Sequence, residues 1–289
     1  RYAVRTDRVL ERAEAELLID PYVFGYWLGD GNSDSARFTV GDSDASSFVK
    51  EVAEAGYHVL STRRNSESSV MLTVSTCEHA RSTDSLNSRL RLLGVLKNKH
   101  VPDVYLVGSK KQRLALLQGL MDSDGTVIRG NGVPRCEFTS TSRVLADAVL
   151  FLARSLGWRS TIHEGRATIE GRDCGTKYRV SWAASQDVSP FRLKRKTERL
   201  RVCTGSHTRS STATIVNVEP VDSVPTRCIE VGHPSHQFLV GRGLVPTHNT
   251  TIAAGIGLYL AFGDDEPGAQ VYAAAASKDQ AQQAYRPAK

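Results

Sequence analysis

No apolar run in the sequence approaches the roughly 20 residues that a membrane-spanning helix needs, so a helical span is excluded. Cysteine is sparse. Five residues are scattered at positions 77, 136, 174, 203 and 228, with no CxxC pair and no Cys/His cluster. That pattern gives neither a disulfide framework nor a zinc site, and it fits a reducing compartment. No signal or transit segment precedes Arg1, and the expectation is an internal piece of a longer reading frame. What is present is ordinary for a folded protein. The 289 residues allow two domains, and 40% hydrophobic residues are too many for a disordered polymer.

Charge is uneven. Lys and Arg outnumber Asp and Glu by 37 to 31, yet the last 40 residues hold three basic and four acidic side chains. The body before them is therefore basic, which points weakly to a polyanion such as DNA. Residues 1–19 are charged without apolar period and lead into Asp20-Pro21, a helix-start signal. The run YVFGYWL (22–28) is apolar on every face and closes on Gly29-Asp30-Gly31. Strand-like segments (Arg37–Val40, Val70–Val74) then flank a helix-like one (Ala45–Ala55), and Lys97–Pro102 reads as a basic loop. Gln112–Met121 repeats the opening theme and closes on Asp122-Ser123-Asp124-Gly125. Short strands and a helix (Ser142–Leu156) follow, with Asn131-Gly132 read as a hairpin turn. Asp30 and Asp124 are 94 positions apart, which implies two α/β halves related by a pseudo-two-fold axis. Phe191–Arg201 is strongly basic, and beyond Thr212 short strands alternate with turns.

The sharpest chemical signal is Val245-Pro246-Thr247-His248-Asn249-Thr250. Asn can attack its own carbonyl carbon through its side-chain amide, closing a succinimide and breaking the bond that follows. A neighbouring His can supply or orient the proton, and the next hydroxyl can accept an acyl group. With TRCIEVGHPSHQFLVGRGLVPTHN, this stretch resembles the C-terminal splicing motifs of inteins. The resemblance makes Asn249 the terminal Asn, His248 the penultimate His and Thr250 the first extein residue. His236 becomes the helper of cyclisation, with His233 a loop residue. Cys228 stands where many inteins have Asp, which resembles the class with an internal nucleophile. There the Cys228 thiolate would attack the upstream junction, and Thr250 would take the acyl group before Asn249 cyclises. A thiol is the better nucleophile near neutral pH. The alternative is an ordinary intein whose first residue, Cys or Ser, lies upstream.

VFGYWLGDG (23–31) and LQGLMDSDG (117–125) both resemble the LAGLIDADG helix of homing endonucleases. Gly25 and Gly119 would let the helices approach closely, and each would deliver one carboxylate, Asp30 and Asp124. Paired acids there can bind Mg²⁺ and organise water against a phosphodiester. Asp122 is set aside, because the first copy has Leu28 in its place. Lys99, in NKHVP, resembles the family's basic residue between the helices. Lys97, Arg192, Lys194, Arg195 and Lys196 are candidates for tracking phosphates or tethering the domains, though a solvated helix face is equally open.

Residues 250–289 change character, to a small-residue helix, an acidic GDDEPG loop and an apolar strand run. They resemble the segment after the Walker A lysine of phage terminase large subunits. Thr250 would then hold Mg²⁺ in an ATP-binding host once splicing has joined it. The expected fold class is α+β: a pseudo-two-fold endonuclease of two αββαββα-like halves, the C-terminal part of an all-β Hint domain, and a P-loop fragment. The expected divisions are 1–19, 20–190, 191–249 and 250–289. The function implied is autocatalytic splicing plus double-strand cleavage of an intein-less DNA site by a monomeric nuclease. The implied setting is the cytoplasm of a phage-bearing bacterium, without membrane contact. Two rivals are a free-standing endonuclease or DNA-binding protein without splicing, and an ATPase fragment.

Overall fold

The computed structural model describes residues 3–5, 8–78, 84–128, 134–183, 188–200, 212–217, 219–222, 224, 225, 229, 231, 232, 234, 235 and 237–247. The chain divides into two compact units, Arg1–Arg5 with Thr212–Lys289, and Thr6–Ser211. The boundary after the basic segment therefore falls at 211, not at 190, and residues 191–200 belong with the larger unit. In the smaller unit, β1 (Ala3–Arg5) pairs antiparallel with β9 (Thr212–Thr214), Arg5 standing opposite Thr212. A second antiparallel pair is β10 (Phe238–Val240) with β11 (Val245–Thr247). Residues 250–289, read as a P-loop fragment, lie outside the described residues.

The larger unit is built from two copies of one plan. The first runs α1 (Pro21–Asp30), β2 (Arg37–Gly41), α2 (Asp42–Glu54), β3 (His58–Ser66), β4 (Ser69–Ser75), α3 (Leu86–Leu92) and α4 (Asp103–Leu106). The second runs α5 (Lys110–Ser123), β5 (Gly125–Ile128), β6 (Arg135–Ser140), α6 (Arg143–Ser155), β7 (Ser160–Ile169), β8 (Arg172–Ala183) and α7 (Lys194–Leu200). The sheets have matching order, β2-β4-β3 and β5-β6-β8-β7. The first lacks a full counterpart of β5, but a lone bridge between Gly31 and Phe38 occupies the place of the Gly125–Phe138 pair. The αββαββα plan is thus complete in the second half and abbreviated by one strand in the first.

Local chemistry sets the helix starts. Asp20 caps α1 through the backbone N–H groups of Tyr22 and Val23, with Pro21 in the first turn. Ser109 and Gln112 form a reciprocal capping box at the start of α5, and Ser142 caps α6. α1 buries all of Tyr22–Leu28, because one side meets α5 and the other meets its own sheet. Around it Tyr26, Phe38 and Phe48 form an aromatic cluster, with the Tyr26 and Phe48 ring centres 4.4 Å apart. Strands β2 and β6 alternate, burying Phe38, Val40, Cys136 and Phe138 against the helices and turning polar residues outward. Among the described residues, no helix is long and apolar enough to cross a membrane.

The leading segment is tied to this body. Arg113 is fully buried and, among the described residues, makes no ion pair. It donates to the Gly108 and Leu10 carbonyls and to the Ser155 hydroxyl. Gln112 exchanges two hydrogen bonds with the backbone of Ala15, and the Tyr105 hydroxyl bonds the backbone of Ile19. Residues 10–19 of the leading segment are therefore held across α5 and α6.

Candidate active site

α1 and α5 cross at their glycines. A Cβ on Gly25 would lie 2.2 Å from the Leu116 carbonyl oxygen, and one on Gly119 would lie 2.1 Å from that of Tyr22. Only glycine permits backbone-to-backbone contact at this distance. The approach continues to the helix ends, where a Cβ on Gly29 would strike the Ser123 hydroxyl and come within 3.1 Å of an Asp124 carboxylate oxygen. The two helices thus deliver Asp30 and Asp124 to one apex.

Both carboxylates resist ionisation there. Asp30 is pushed up to about 6, first by burial and then by the charge of Asp124. Asp124 is raised by desolvation, although its outer edge reaches solvent. Lys99 and Lys196 oppose both shifts. Lys196 acts more strongly than Lys99 on Asp30, and the order reverses for Asp124.

The two lysines occupy equivalent places. Lys99 Nζ donates to the carbonyls of Gly29 (2.9 Å) and Gly31 (2.6 Å) at the end of α1. Lys196 Nζ donates to those of Met121 (2.8 Å), Asp122 (2.7 Å), Ser123 (3.3 Å) and Gly125 (2.7 Å) at the end of α5. Adding the 94-residue offset converts Gly29 and Gly31 into Ser123 and Gly125, so the same carbonyls are capped in both halves. Burial lowers both ammonium groups, Lys196 to about 8. Lys99 also lies over the Trp27 ring, 5.2 Å from its centre.

The basic segment does not form a phosphate-tracking surface throughout. Lys196 is only 5% exposed and is committed to the apex. Arg195 Nε donates to Asp44 Oδ1 (2.6 Å) and Arg192 Nη1 to Glu51 (2.5 Å), both acids being on α2 of the other half. Arg192 also stacks its guanidinium over Tyr22. Lys194 is exposed. The segment clamps the two halves of one unit, because Asp122 anchors it at the opposite side. This carboxylate, 1% exposed, accepts from the backbone N–H groups of Arg192 and Leu193 and from the Tyr22 hydroxyl. Asp122 faces this joint, not the apex pair, and burial pushes its carboxyl up to about 6. Lys97 sits in an exposed turn with positive φ, its N–H given to the Ser33 carbonyl.

Cys228, His233, His236, His248, Asn249, Thr250 and Asn131-Gly132 lie outside the described residues. Sequence reading missed the role of Lys196, hidden among Arg192, Lys194, Arg195 and Arg199, which are exposed while it alone of these is buried. The repeat offered a signal. Lys99 follows Asp30 by 69 positions, and Lys196 follows Asp124 by 72. It also missed the basic side chains of the β3–β4 and β7–β8 hairpins, Arg63, Arg64, Arg166, Arg172, Lys177 and Arg179, of which Arg64, Arg166 and Arg179 pair with Asp42, Asp173 and Glu137.

Comparison with known proteins places a LAGLIDADG-like domain at residues 111–210. Over 252 residues, 87% of this chain, the sequence is 36% identical to a protein named replicative DNA helicase DnaB from Mycobacterium intracellulare. The chain spans 38% of that relative's length. Among solved structures, the homing endonuclease I-DmoI in complex with DNA and Ca is 14% identical, with a TM-score of 0.36 over 57% of this chain and 83% of that one. The N-terminal LAGLIDADG domain of DUF199/WhiA is 11% identical, with a TM-score of 0.35 over 64% of this chain and 85% of that one. The relative is a helicase, and nothing in these matches supports the terminase host read from residues 250–289.

Proposed function

We propose that residues 8–200 form a metal-dependent double-strand DNA endonuclease carried within a self-splicing element. The observation that carries the nuclease reading is the glycine-notched contact of α1 and α5, which sets Asp30 and Asp124 side by side beneath two lysines. Among the described residues no group of three or more His, Cys, Asp and Glu could hold a metal. Two carboxylates are nonetheless what Mg²⁺ uses when it keeps its waters and shares phosphate oxygens. Burial raises both carboxyls, and at Asp30 the charge of Asp124 adds to the shift; a divalent cation would offset both effects. Asp30 and Asp124 would hold the ion, which supplies charge neutralisation and a more acidic bound water.

The protein's own groups do the rest. The paired helices fix the carboxylates, and Lys99 stands where it can donate to a scissile phosphate. Exposed basic side chains of the two hairpins, such as Arg63 and Arg172, would contribute contacts to a duplex backbone. In each cut a water oxygen bonds to phosphorus as one P–O ester bond breaks. The water gives up a proton to solvent, and the departing alkoxide takes one up.

Splicing rests on sequence alone. Cys228 would form the thioester branch, Thr250 would receive the acyl group, and Asn249 would cyclise with help from His248 and His236; an upstream Cys or Ser nucleophile is the alternative. The DnaB likeness favours a replicative helicase as host, in which Thr250 would contribute to an ATP–Mg²⁺ site. Incubation with Mg²⁺ and a plasmid carrying the uninterrupted host gene tests the nuclease: linearisation supports it, and retention by Asp30→Asn or Asp124→Asn refutes the assigned site. For splicing, mass spectrometry of the full reading frame should show joined flanks, and Asn249→Ala should leave the downstream bond intact. A full-length unprocessed wild type would refute it.

A further inference from the structure

The glycine contact between α1 and α5 is a pivot. Gly25 stands five residues before Asp30, and Gly119 five before Asp124. The helix starts lie on the other side of the crossing, with Asp20 five residues from Gly25 and Gln112 seven from Gly119. At 1.5 Å per residue these arms are roughly 7–11 Å long, so opening the starts by about 1 Å swings the far ends by a similar distance. Whatever fixes the starts therefore bears on the two carboxylates.

Residues 15–20 join those starts. Gln112 of α5 takes both backbone groups of Ala15: the Ala15 N–H donates to Oε1 (2.9 Å), and Nε2 donates to the Ala15 carbonyl (2.6 Å). From Leu18 onward, side chains of the first half take over. Arg89 donates to the Leu18 carbonyl (2.8 Å), and the Tyr57 hydroxyl accepts from the Asp20 N–H (2.9 Å). Between them the Tyr105 hydroxyl accepts from the Ile19 N–H and donates to the Ile19 carbonyl, both at 3.0 Å. Tyr105 and Ile19 are buried, so water does not compete for these two bonds. Asp20 then caps α1. One end of the stretch is thus held by the second half and the other by the first.

We propose that residues 15–20 are a strap across the starts of α1 and α5, and that Gln112 is a positioning residue for cleavage, holding Asp30 and Asp124 at their working separation from the far side of the pivot. This rests on the nuclease reading above. Gln112 also closes the cap of α5, its Oε1 accepting from the Ser109 N–H. The Nε2 bond to Ala15 takes no part in that cap, so the two duties separate by mutation.

Gln112→Glu keeps an acceptor for Ser109 and suits a helix start, but it sets a carboxylate oxygen against the Ala15 carbonyl. Ser109→Ala is the converse, removing the cap hydroxyl and leaving both Ala15 bonds in place. The assay is cleavage of a plasmid carrying the uninterrupted host gene, at a temperature where melting shows every protein folded. Gln112→Glu should lose about tenfold to a hundredfold in kcat with KM unchanged, the scale of a small misplacement of reacting groups. Ser109→Ala should keep kcat within about threefold although it melts at least as early as Gln112→Glu. A readout that needs no cleavage is pulsed electron paramagnetic resonance between spin-labelled amino acids incorporated at Asp34 and Thr126, exposed positions just beyond the two helix ends. The distance distribution should broaden by about 1 Å or more in Gln112→Glu and stay as in wild type in Ser109→Ala. An unbroadened distribution in Gln112→Glu, wild-type kcat in that variant, or a kcat that follows melting in both variants overturns the strap and leaves the nuclease reading intact. An inert wild type overturns the nuclease reading, and the distance measurement then decides the strap alone.

Discussion

Replacing Gly119 by Ala should damage stability and cleavage together. The added Cβ would stand 2.1 Å from the Tyr22 carbonyl oxygen and 2.6 Å from the Tyr26 nitrogen. Both are backbone atoms of a buried helix, so no side-chain rotation can absorb the clash. Restoring ordinary contact requires the helices to part by about 1 Å, and forced overpacking of this kind costs about 3 kcal/mol. Ala returns about 1 kcal/mol through its better helix propensity. The net loss is about 2 kcal/mol, or a melting point roughly 4–8 °C lower for a unit of this size. Because the same contact sets the spacing of Asp30 and Asp124, cleavage should fall about a hundredfold even where the variant is folded. Gly165→Ala is the control, since its Cβ would meet nothing closer than a Lys177 side-chain carbon at 3.9 Å. The measurements are urea unfolding and plasmid cleavage on the three proteins. A Gly119→Ala variant as stable as the control would refute the close-contact account of the helix pair.

Asp30→Asn should abolish cleavage yet make the larger unit more stable near pH 7.5, by about 1 kcal/mol after allowance for partial exposure. The sign follows from a folded pKa of about 6 against 3.8 unfolded: the folded state binds the proton more tightly, so stability falls as pH rises between those values. The advantage of Asn should therefore vanish near pH 4, and an advantage independent of pH would contradict the reasoning. Mg²⁺ at a hundredfold excess over its Kd should raise wild-type stability by about 2.7 kcal/mol, and should do nothing for an Asp30→Asn, Asp124→Asn double variant. An equal response would place the ion elsewhere. Arg113→Met should cost about 1–3 kcal/mol by leaving the Gly108 and Leu10 carbonyls unpaired, and should speed tryptic cutting after Arg12. Unchanged stability and cutting would show that the segment is not held by this side chain.

The parts of the fold legible in sequence are those whose burial is complete. α1 was readable as a helix apolar on every face, notched by glycine and closed by Asp-Gly, and α5 as its repeat over Gln112–Gly125. Helices α2 and α6 and strands β2 and β4 were readable from one-sided burial. Strand β3 was not: HVLSTRRNS shows solvent on almost every residue, and its place is set by pairing with β4 rather than by its own pattern. The β7–β8 hairpin hid for the same reason. At the apex, Asp30, Asp124 and Lys99 carry sequence signals because each adjoins a distinctive motif. Asp122 and Lys196 do not, since their roles come from contacts 70 or more residues away. A carboxylate that anchors backbone N–H groups and one that binds a cation look alike as letters. Only the direction each faces separates them.

The pairing of Arg5 with Thr212 has a consequence for how such a gene can change. The whole span from 6 to 211 leaves from one strand and returns to its immediate neighbour. A two-residue turn could therefore replace that span, leaving the ladder between β1 and β9 intact as an ordinary hairpin. Gain or loss of the span 6–211 then requires no refolding of the β1–β9 ladder, so the larger unit can be shed by a single in-frame deletion.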